Sequence, residues 1–207
     1  MTTRETRRIR ARVIAPVLAF ATLLAGCSST GGGGLVDTYE TGSGDGYISR
    51  DGRIVQIAAS EREEPVDFAG TLDSGEAFDS AELRGQVVVV NLWYAACPPC
   101  REEAPDLEAI HQRYADADVT VVGVNVRDTA GTSLKFAREH GVSYPSIIDY
   151  ETNAVQLAFA GGAYAPTSVP TTLVLDAEGR VAARLSGLIE SPSVVTEIVD
   201  ALLAESA

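Results

Sequence analysis

Cys97 and Cys100, two cysteines separated by two residues, have the clearest capacity for chemistry in this sequence. Two thiols at this spacing can close a small disulfide ring, and the deprotonated sulfur is the form that attacks another disulfide. Pro98 and Pro99 between them are typical of the first turn of a helix, whose unpaired N–H groups and partial positive charge favour a thiolate. The spacing therefore predicts a redox-active pair. We expect Cys97 near the surface as the attacking thiol, and Cys100 one turn further in as the resolving thiol.

Half of a zinc site is the alternative interpretation of such a pair, and it requires a second pair of ligands. The chain has three cysteines and two histidines, His111 and His140, and no second Cys-X-X-Cys. We therefore expect no metal, and no cofactor beyond the redox-active cysteine pair itself. His111 is interpreted as a packed or surface residue of a helix rather than as a ligand.

A strand and a helix are predicted to position the pair. The run from Val87 to Leu92 is apolar and largely β-branched, which is typical of a buried strand. After Cys100, residues that suit a buried face recur at helical spacing, and Glu103 falls on the same inward face. Pro105 is expected to interrupt and kink this helix. The recurring positions are Leu107, Ile110, His111 and Tyr114.

The rest of the chain alternates between predicted strands and helices, which indicates an α/β sandwich with a mixed sheet. Asp51-Gly52 is a strong turn signal inside a hairpin at 47–57. Further strands are predicted at 119–126, 144–149, 171–176 and 181–185, short strands around a turn within 68–83, and helices at 132–140, 152–159 and 191–204. Residues 161–168 are expected to form a loop.

The N-terminus is predicted to be a targeting segment. Five arginines precede a short apolar stretch that ends at Leu24-Ala25-Gly26-Cys27, which closely resembles the lipobox of bacterial lipoproteins. This resemblance implies a signal peptide at 1–26, a lipid on Cys27 and a Gly- and Ser-rich tether at 27–46. The alternative is an ordinary signal peptide with a chance cysteine. If Cys27 carries lipid, Cys97 and Cys100 are the only cysteines left to pair.

The charge balance narrows the choice of partners. The net charge is −13, and the residues after the predicted signal peptide hold 11 of the 16 basic and 28 of the 29 acidic side chains, a net charge of −17. Such a surface disfavours nucleic acid and anionic lipid as partners. It is compatible with basic partners or simply with solubility.

From about Val66 to the C-terminus, the chain resembles the TlpA/ResA-like extracytoplasmic thioredoxins. The motifs that carry the resemblance are residues 85–107 around the cysteine pair, 121–126 and 169–179. The hairpin at 47–57 is similar to the N-terminal extension of actinobacterial relatives. The resemblance implies a thioredoxin fold at 47–207, with a mixed central sheet flanked by helices, an N-terminal hairpin extension and a central insertion at about 145–168.

The resemblance also implies roles for residues distant from the cysteines. Pro170 corresponds to a cis-proline that places the Val169 backbone beside Cys97, where a substrate peptide can pair with it; an ordinary trans proline is the alternative. Glu103 corresponds to a buried glutamate that shuttles protons and tunes the pKa values of the cysteines, with a solvated helix glutamate as the alternative. Asn91 stands where cytoplasmic thioredoxins carry a buried aspartate.

One position departs from the family pattern. The family usually has tryptophan immediately before the first cysteine, whereas this chain has Ala96, and its one tryptophan, Trp93, lies in the preceding strand. We expect the missing indole to leave the site more open or less apolar. We expect this departure to affect partner preference and redox poise, but not the thiol chemistry.

The function implied by the resemblance is thiol–disulfide exchange on the extracytoplasmic face of the cell membrane. The expected substrates are disulfides or dithiols of exported proteins, with apocytochrome c, and hence cytochrome c maturation, as the best-known case in the family. The expected electron donor is a membrane protein of the CcdA/DsbD kind. Reduction is the favoured direction, with oxidation of exported thiols as the alternative. Peroxide reduction is an alternative that is disfavoured because a Thr-X-X-Cys pattern is absent. A metallochaperone lipoprotein is a further alternative, and it is disfavoured because it would need a suitably placed histidine.

Overall fold

The computed structural model describes residues 46–49 and 51–206. The predicted signal peptide, Cys27 and nearly all of the tether lie outside the described residues. The strands are β1 (Tyr47–Ile48), β2 (Ile54–Gln56), β3 (Ala69–Thr71), β4 (Ala77–Asp79), β5 (Val87–Trp93), β6 (Val119–Asn125), β7 (Ser146–Ile148), β8 (Thr171–Leu175) and β9 (Val181–Ser186). The helices are α1 (Pro98–Arg113), α2 (Ala130–His140), α3 (Ala154–Phe159) and α4 (Pro192–Glu205).

Seven of the strands form one mixed sheet in the order β1-β2-β9-β8-β5-β6-β7. Strands β5, β6 and β7 run parallel, and the other neighbouring pairs are antiparallel. Strands β3 and β4 form a separate two-stranded sheet. This arrangement confirms the predicted α/β architecture with a mixed central sheet.

Strand β5 lies near the middle of the sheet, and all seven of its residues are buried. Its side chains alternate between two apolar clusters, as expected for a strand covered on both faces. Val87 and Val89 pack with residues of α1 and α4 such as Leu107 and Ile198. Val88, Val90 and Leu92 face the other side, where α3 and the Phe68 region complete the core.

The N-terminal hairpin is present and is joined to the main sheet. Ile48 pairs with Val55, and β2 pairs with β9. Gly52 has a φ of +70°, a conformation that favours glycine. The last hydrogen bond of the hairpin runs from the N–H of Ser49 to the C=O of Ile54. The connection between the strands is therefore longer than the expected two-residue turn.

Helix α1 runs without a break through Pro105, so the predicted interruption is wrong. Pro105 removes one helical hydrogen bond, to the carbonyl of Arg101. Both residues are exposed, so water can satisfy that carbonyl at little cost. Among the described residues, none of the helices is long and apolar enough to cross a membrane.

Candidate active site

Cys97 and Cys100 form a disulfide at the start of α1, immediately after the loop that follows β5. Their Cα atoms are 5.3 Å apart. Cys97 caps the helix, and its Sγ accepts a hydrogen bond of 3.3 Å from the N–H of Cys100. This N–H can stabilise a thiolate at Cys97 when the pair is reduced. The next N–H along the helix, that of Arg101, is bonded instead to the carbonyl of Cys97.

The disulfide is less accessible than expected. Cys97 is 2% exposed and Cys100 is 3% exposed, so the prediction that Cys97 lies near the surface is wrong for this oxidised form. Both sulfurs belong to an apolar cluster with Trp93 and Phe136. Partly buried residues, among them Val169, pack against the same cluster and account for the cover.

Trp93 supplies an indole to the site from the strand rather than from the position before the first cysteine. Its ring centroid lies 4.4 Å from that of Phe136, and its Nε1–H donates a hydrogen bond of 3.1 Å to Ser146 Oγ. Ala96, which replaces the family's usual tryptophan, is exposed. The indole of this chain therefore joins the apolar cluster around the disulfide from strand β5.

Glu103 lies on the inward face of α1 and is 1% exposed, which excludes the alternative of a solvated helix glutamate. Its Oε1 accepts a hydrogen bond of 2.8 Å from Asn91 Nδ2, and its Oε2 accepts one of 3.2 Å from the N–H of Ile189. Burial raises the pKa of Glu103 from its ordinary value of 4.5 to about 7. The two hydrogen bonds oppose this rise, and the charge of Asp106 adds to it.

Two further polar groups surround Glu103. Asn91 also donates to Thr172 Oγ1 at 3.1 Å, so it links β8 to the carboxyl group. Burial, followed by the nearby charges of Glu103 and Glu108, raises the pKa of Tyr144. Tyr144 therefore stays protonated over the range in which Glu103 titrates. The hydrogen bond between Asn91 and Glu103 and the position of Tyr144 beside the carboxyl group were both missed by sequence reasoning.

The Val169–Pro170 peptide bond is cis, as the resemblance implied. The carbonyl of Pro170 accepts a hydrogen bond of 2.8 Å from the N–H of Gly187. Within the described part of the chain, neither the N–H nor the C=O of Val169 has a hydrogen-bond partner. The backbone of Val169 is therefore available to pair with another chain close to the disulfide.

A polar network that the sequence analysis missed holds the loop before Cys97. Asp128 Oδ2 accepts hydrogen bonds from the N–H of Ala95, at 2.6 Å, and from Asn125 Nδ2, at 3.0 Å. The side chain of Asn125 in turn accepts from the N–H groups of Arg127 and Asp128. The available signal was the sequence Asn125-Val126-Arg127-Asp128, polar residues at the carboxyl end of a buried strand that is parallel to β5.

A groove of about 300 Å³ lies beside Val169. The Arg127 guanidinium lies 4.4 Å from the centre of the Tyr94 ring on one side of this groove. Arg127 forms no ion pair with any described residue. The lining residues are Leu92, Tyr94, Arg127, Gln156, Pro166, Thr167, Ser168 and Val169.

Metal-ligating residues are not clustered in the described ranges: no group of three or more His, Cys, Asp or Glu side chains could hold an ion there. His111 is half-buried and lies edge-on to Tyr144, with ring centroids 6.1 Å apart. This contact agrees with its interpretation as a packed helix residue.

The sheet order, a disulfide where the central strand meets a helix, and a cis-proline beside it together define a thiol–disulfide oxidoreductase with the thioredoxin fold. Comparison with known proteins identifies the family. The AhpC/TSA family model matches residues 62–184, and the chain belongs to this family. Within it, the relatives place the chain among the TlpA/ResA-like thioredoxins.

Two curated relatives illustrate the similarity. The thiol:disulfide interchange protein HelX of Rhodobacter capsulatus is 30% identical over 168 residues, which cover 79% of this chain and 90% of HelX. The thiol-disulfide oxidoreductase ResA of Halalkalibacterium halodurans is 30% identical over 119 residues, covering 58% of this chain. The match spans 64% of the length of that ResA.

Two solved structures of actinobacterial proteins have the same fold. A DsbF homologue from Corynebacterium diphtheriae is 30% identical, with a TM-score of 0.64, and covers 75% of this chain and 97% of its own. A secreted thiol-disulfide isomerase from Corynebacterium glutamicum is 32% identical, with a TM-score of 0.63, and covers 75% and 96% respectively.

Proposed function

We propose that this protein is a lipid-anchored reductase of disulfides in exported proteins. The observation that carries the proposal is the Cys97–Cys100 disulfide at a helix start, with the buried carboxyl of Glu103 one turn further along α1. Such a site supports two-electron exchange between a dithiol and a disulfide. The class of reaction follows from the family, whereas the anchor, the direction and the substrate belong to the proposal.

The proposed reaction begins with the reduced pair. The Cys97 thiolate attacks one sulfur of a substrate disulfide, forms a mixed disulfide and releases the other substrate sulfur as a thiolate. Cys100 then attacks the sulfur of Cys97, which forms the Cys97–Cys100 disulfide and releases the second substrate thiolate. Two electrons pass to the substrate, and its two thiolates take up protons. Glu103, with a pKa of about 7, accepts the proton of the Cys100 thiol.

The proposed substrate is a polypeptide rather than a small disulfide. The unpaired backbone of Val169 supports this choice, because an extended peptide can hydrogen-bond to it as an added strand. Residues that flank the substrate cysteine would then lie along the groove between Tyr94, Arg127 and Ser168. Apocytochrome c is the proposed substrate, a choice that the family resemblance supports, and the proposed reaction is then a step of cytochrome c maturation.

The proposed location is the extracytoplasmic face of the cell membrane. The lipobox-like sequence ending at Cys27 supports a lipid anchor. One similar structure is described as a secreted protein, which agrees with export. After each turnover, the pair would be reduced again by a membrane electron donor of the CcdA/DsbD kind.

The direction of exchange is tested by the reduction potential of the Cys97–Cys100 pair, measured by equilibration with thiol–disulfide buffers. A potential near that of thioredoxin, about −270 mV, would support a reductase. A potential near that of DsbA, about −120 mV, would contradict it and indicate an oxidase of exported thiols.

The mechanism is tested by replacing each cysteine separately. Cys97→Ala should abolish reduction of a peptide disulfide, because no attacking thiol remains. Cys100→Ala should accumulate the mixed disulfide with Cys97, which mass spectrometry detects. Full activity of Cys97→Ala would rule the mechanism out, and peroxide consumption or stoichiometric copper binding by the reduced protein would favour the alternative functions.

A further inference from the structure

The segment 186–190, which begins at the last residue of β9, touches the active site through two backbone N–H groups. The N–H of Gly187 donates to the carbonyl of Pro170 at 2.8 Å. The N–H of Ile189 donates to Glu103 Oε2 at 3.2 Å, and Ile189 is buried. One short segment therefore contacts both the cis-proline loop and the buried carboxyl group.

Arg53 of the N-terminal hairpin holds the same segment from the other side. Its Nε donates to the carbonyl of Ser186 at 3.1 Å, and its Nη2 donates to the carbonyl of Leu188 at 2.8 Å. Its Nη1 forms an ion pair of 2.9 Å with Glu190. The backbone adds a further link, because the N–H of Ser186 donates to the carbonyl of Arg53 at 2.8 Å.

The two sets of hydrogen bonds belong to the same peptide groups. The carbonyl of Ser186 and the N–H of Gly187 are opposite ends of one planar peptide unit, as are the carbonyl of Leu188 and the N–H of Ile189. A group that fixes the carbonyl of a planar trans unit also fixes the direction of its N–H. The rigid, planar guanidinium is suited to this task, because it can hold two acceptors at once.

We propose that Arg53 is a positioning residue of the active site, which binds two carbonyls and thereby directs two N–H groups at Glu103 and Pro170. The inference rests on the proposed function only in giving Glu103 a role in proton transfer. Arg53 and the segment 186–190 both lie outside residues 62–184, which the family model matches. The hairpin extension thus adds a support that the matched region of the family does not contain.

The ion pair with Glu190 is a minor part of this arrangement. The Glu190 side chain is 78% exposed, and exposed ion pairs contribute little. Gly187 lies against the guanidinium and has a φ of +85°, which allows the segment to turn at that point. A test must therefore distinguish the hydrogen bonds to the carbonyls of Ser186 and Leu188 from the effect of the positive charge of Arg53.

The titration of Glu103 provides a readout that would not change if Arg53 only stabilised the fold. The groups around Glu103 are the neutral Asn91, the protonated Tyr144, the carboxyl of Asp106 and the N–H of Ile189. The N–H of Ile189 favours the charged carboxylate. Loss of its orientation should therefore raise the pKa of Glu103 further.

The experiment follows the amide signal of Ile189 by NMR in the oxidised, ¹⁵N-labelled full chain as the pH is varied. In Arg53→Met, the midpoint should rise by about half a pH unit or more, and the Ile189 amide proton should exchange faster. Arg53→Lys keeps the positive charge but lacks the planar fork, so it should behave like Arg53→Met. The matched control Glu190→Gln removes the ion pair alone and should leave the midpoint unchanged.

An Arg53→Met protein that is less stable but keeps the parental Ile189 midpoint would overturn the proposal, since Arg53 would then only fasten the hairpin. A parental midpoint in Arg53→Lys would also overturn it, by assigning the effect to charge. If Arg53→Met does not fold, Arg53→Lys alone decides between these results. The readout uses the disulfide form without any exchange reaction, so a failure of the proposed reductase activity would leave it unaffected.

Discussion

Glu103 is a carboxyl group on the inward face of α1, and burial raises its pKa to about 7. Its place on the inward face could be predicted, because helical spacing from Cys100 fixes it. Its second hydrogen-bond donor could not be predicted. Ile189 lies 86 residues away in sequence and contributes a backbone N–H, which no side-chain pattern reports.

The raised pKa of Glu103 predicts that the oxidised protein loses stability as the pH rises. The folded form keeps the proton up to about pH 7, whereas the unfolded chain loses it near 4.5. The stabilising contribution is therefore complete below 4.5 and is lost as the pH rises through 7. The decrease should amount to roughly 3 kcal/mol in the free energy of unfolding.

Urea unfolding of the oxidised protein at pH 5 and pH 8 measures this loss. Glu103→Gln should remove most of the difference between the two pH values, because glutamine does not titrate. An equal decrease in the parent protein and in Glu103→Gln would show that other groups cause it.

At the scale of elements, most strands and helices could be predicted from local pattern, since β5 is a continuous run of apolar, largely β-branched residues and α1 carries buried residues at helical spacing. The ends were less predictable. Helix α2 begins at Ala130 rather than at 132, and α1 continues through Pro105. The second difference depends on the exposure of Pro105 and Arg101 to solvent, and a linear sequence shows that only indirectly.

Strand β6 must pass close to the indole of Trp93, and Gly123 makes this approach feasible. A Cβ at Gly123 would lie 2.7 Å from Trp93 Nε1 and closer still to Ser146 Oγ. Gly123→Ala should therefore break the Trp93–Ser146 hydrogen bond and lower the free energy of unfolding by about 1–3 kcal/mol. Urea unfolding and the fluorescence of Trp93 measure the two effects.

A matched control for this substitution lies in α2. A Cβ at Gly131 would point into open space, with no described atom within 4 Å beyond its own stretch of helix. Gly131→Ala should therefore be neutral or stabilising, by up to about 1 kcal/mol. Similar destabilisation by both substitutions would argue against the close contact at Trp93.

At the scale of the whole molecule, an ion cluster joins three distant parts of the chain. Arg62 forms ion pairs with Asp176, at the β8–β9 turn, and with Glu205, at the end of α4. The side chains of Arg62 and Asp176 are each 4% exposed. The sequence could not reveal these pairs, because they span 114 and 143 residues.

Arg62→Met should destabilise the protein by about 2–5 kcal/mol, because the buried Asp176 would lose one of its two ion-pair partners among the described residues and keep only the pair with Arg180. Arg113→Met is the control, since its ion pair with Asp200 is exposed and should contribute less than about 1 kcal/mol. Urea unfolding of both variants at one pH provides the comparison. Equal losses would contradict the importance assigned to the buried cluster.

The seven-stranded sheet ends in very short strands, and this bears on the proposed activity towards exported polypeptides. Among the described residues, β1 at one edge has two residues and β7 at the other has three. Leu72 bridges β7 from outside. Short edge strands give an unfolded polypeptide little template for added strands, whereas Val169 keeps its backbone groups unpaired. In the proposed function, these features would direct a partially folded substrate away from the edges of the sheet and towards the disulfide.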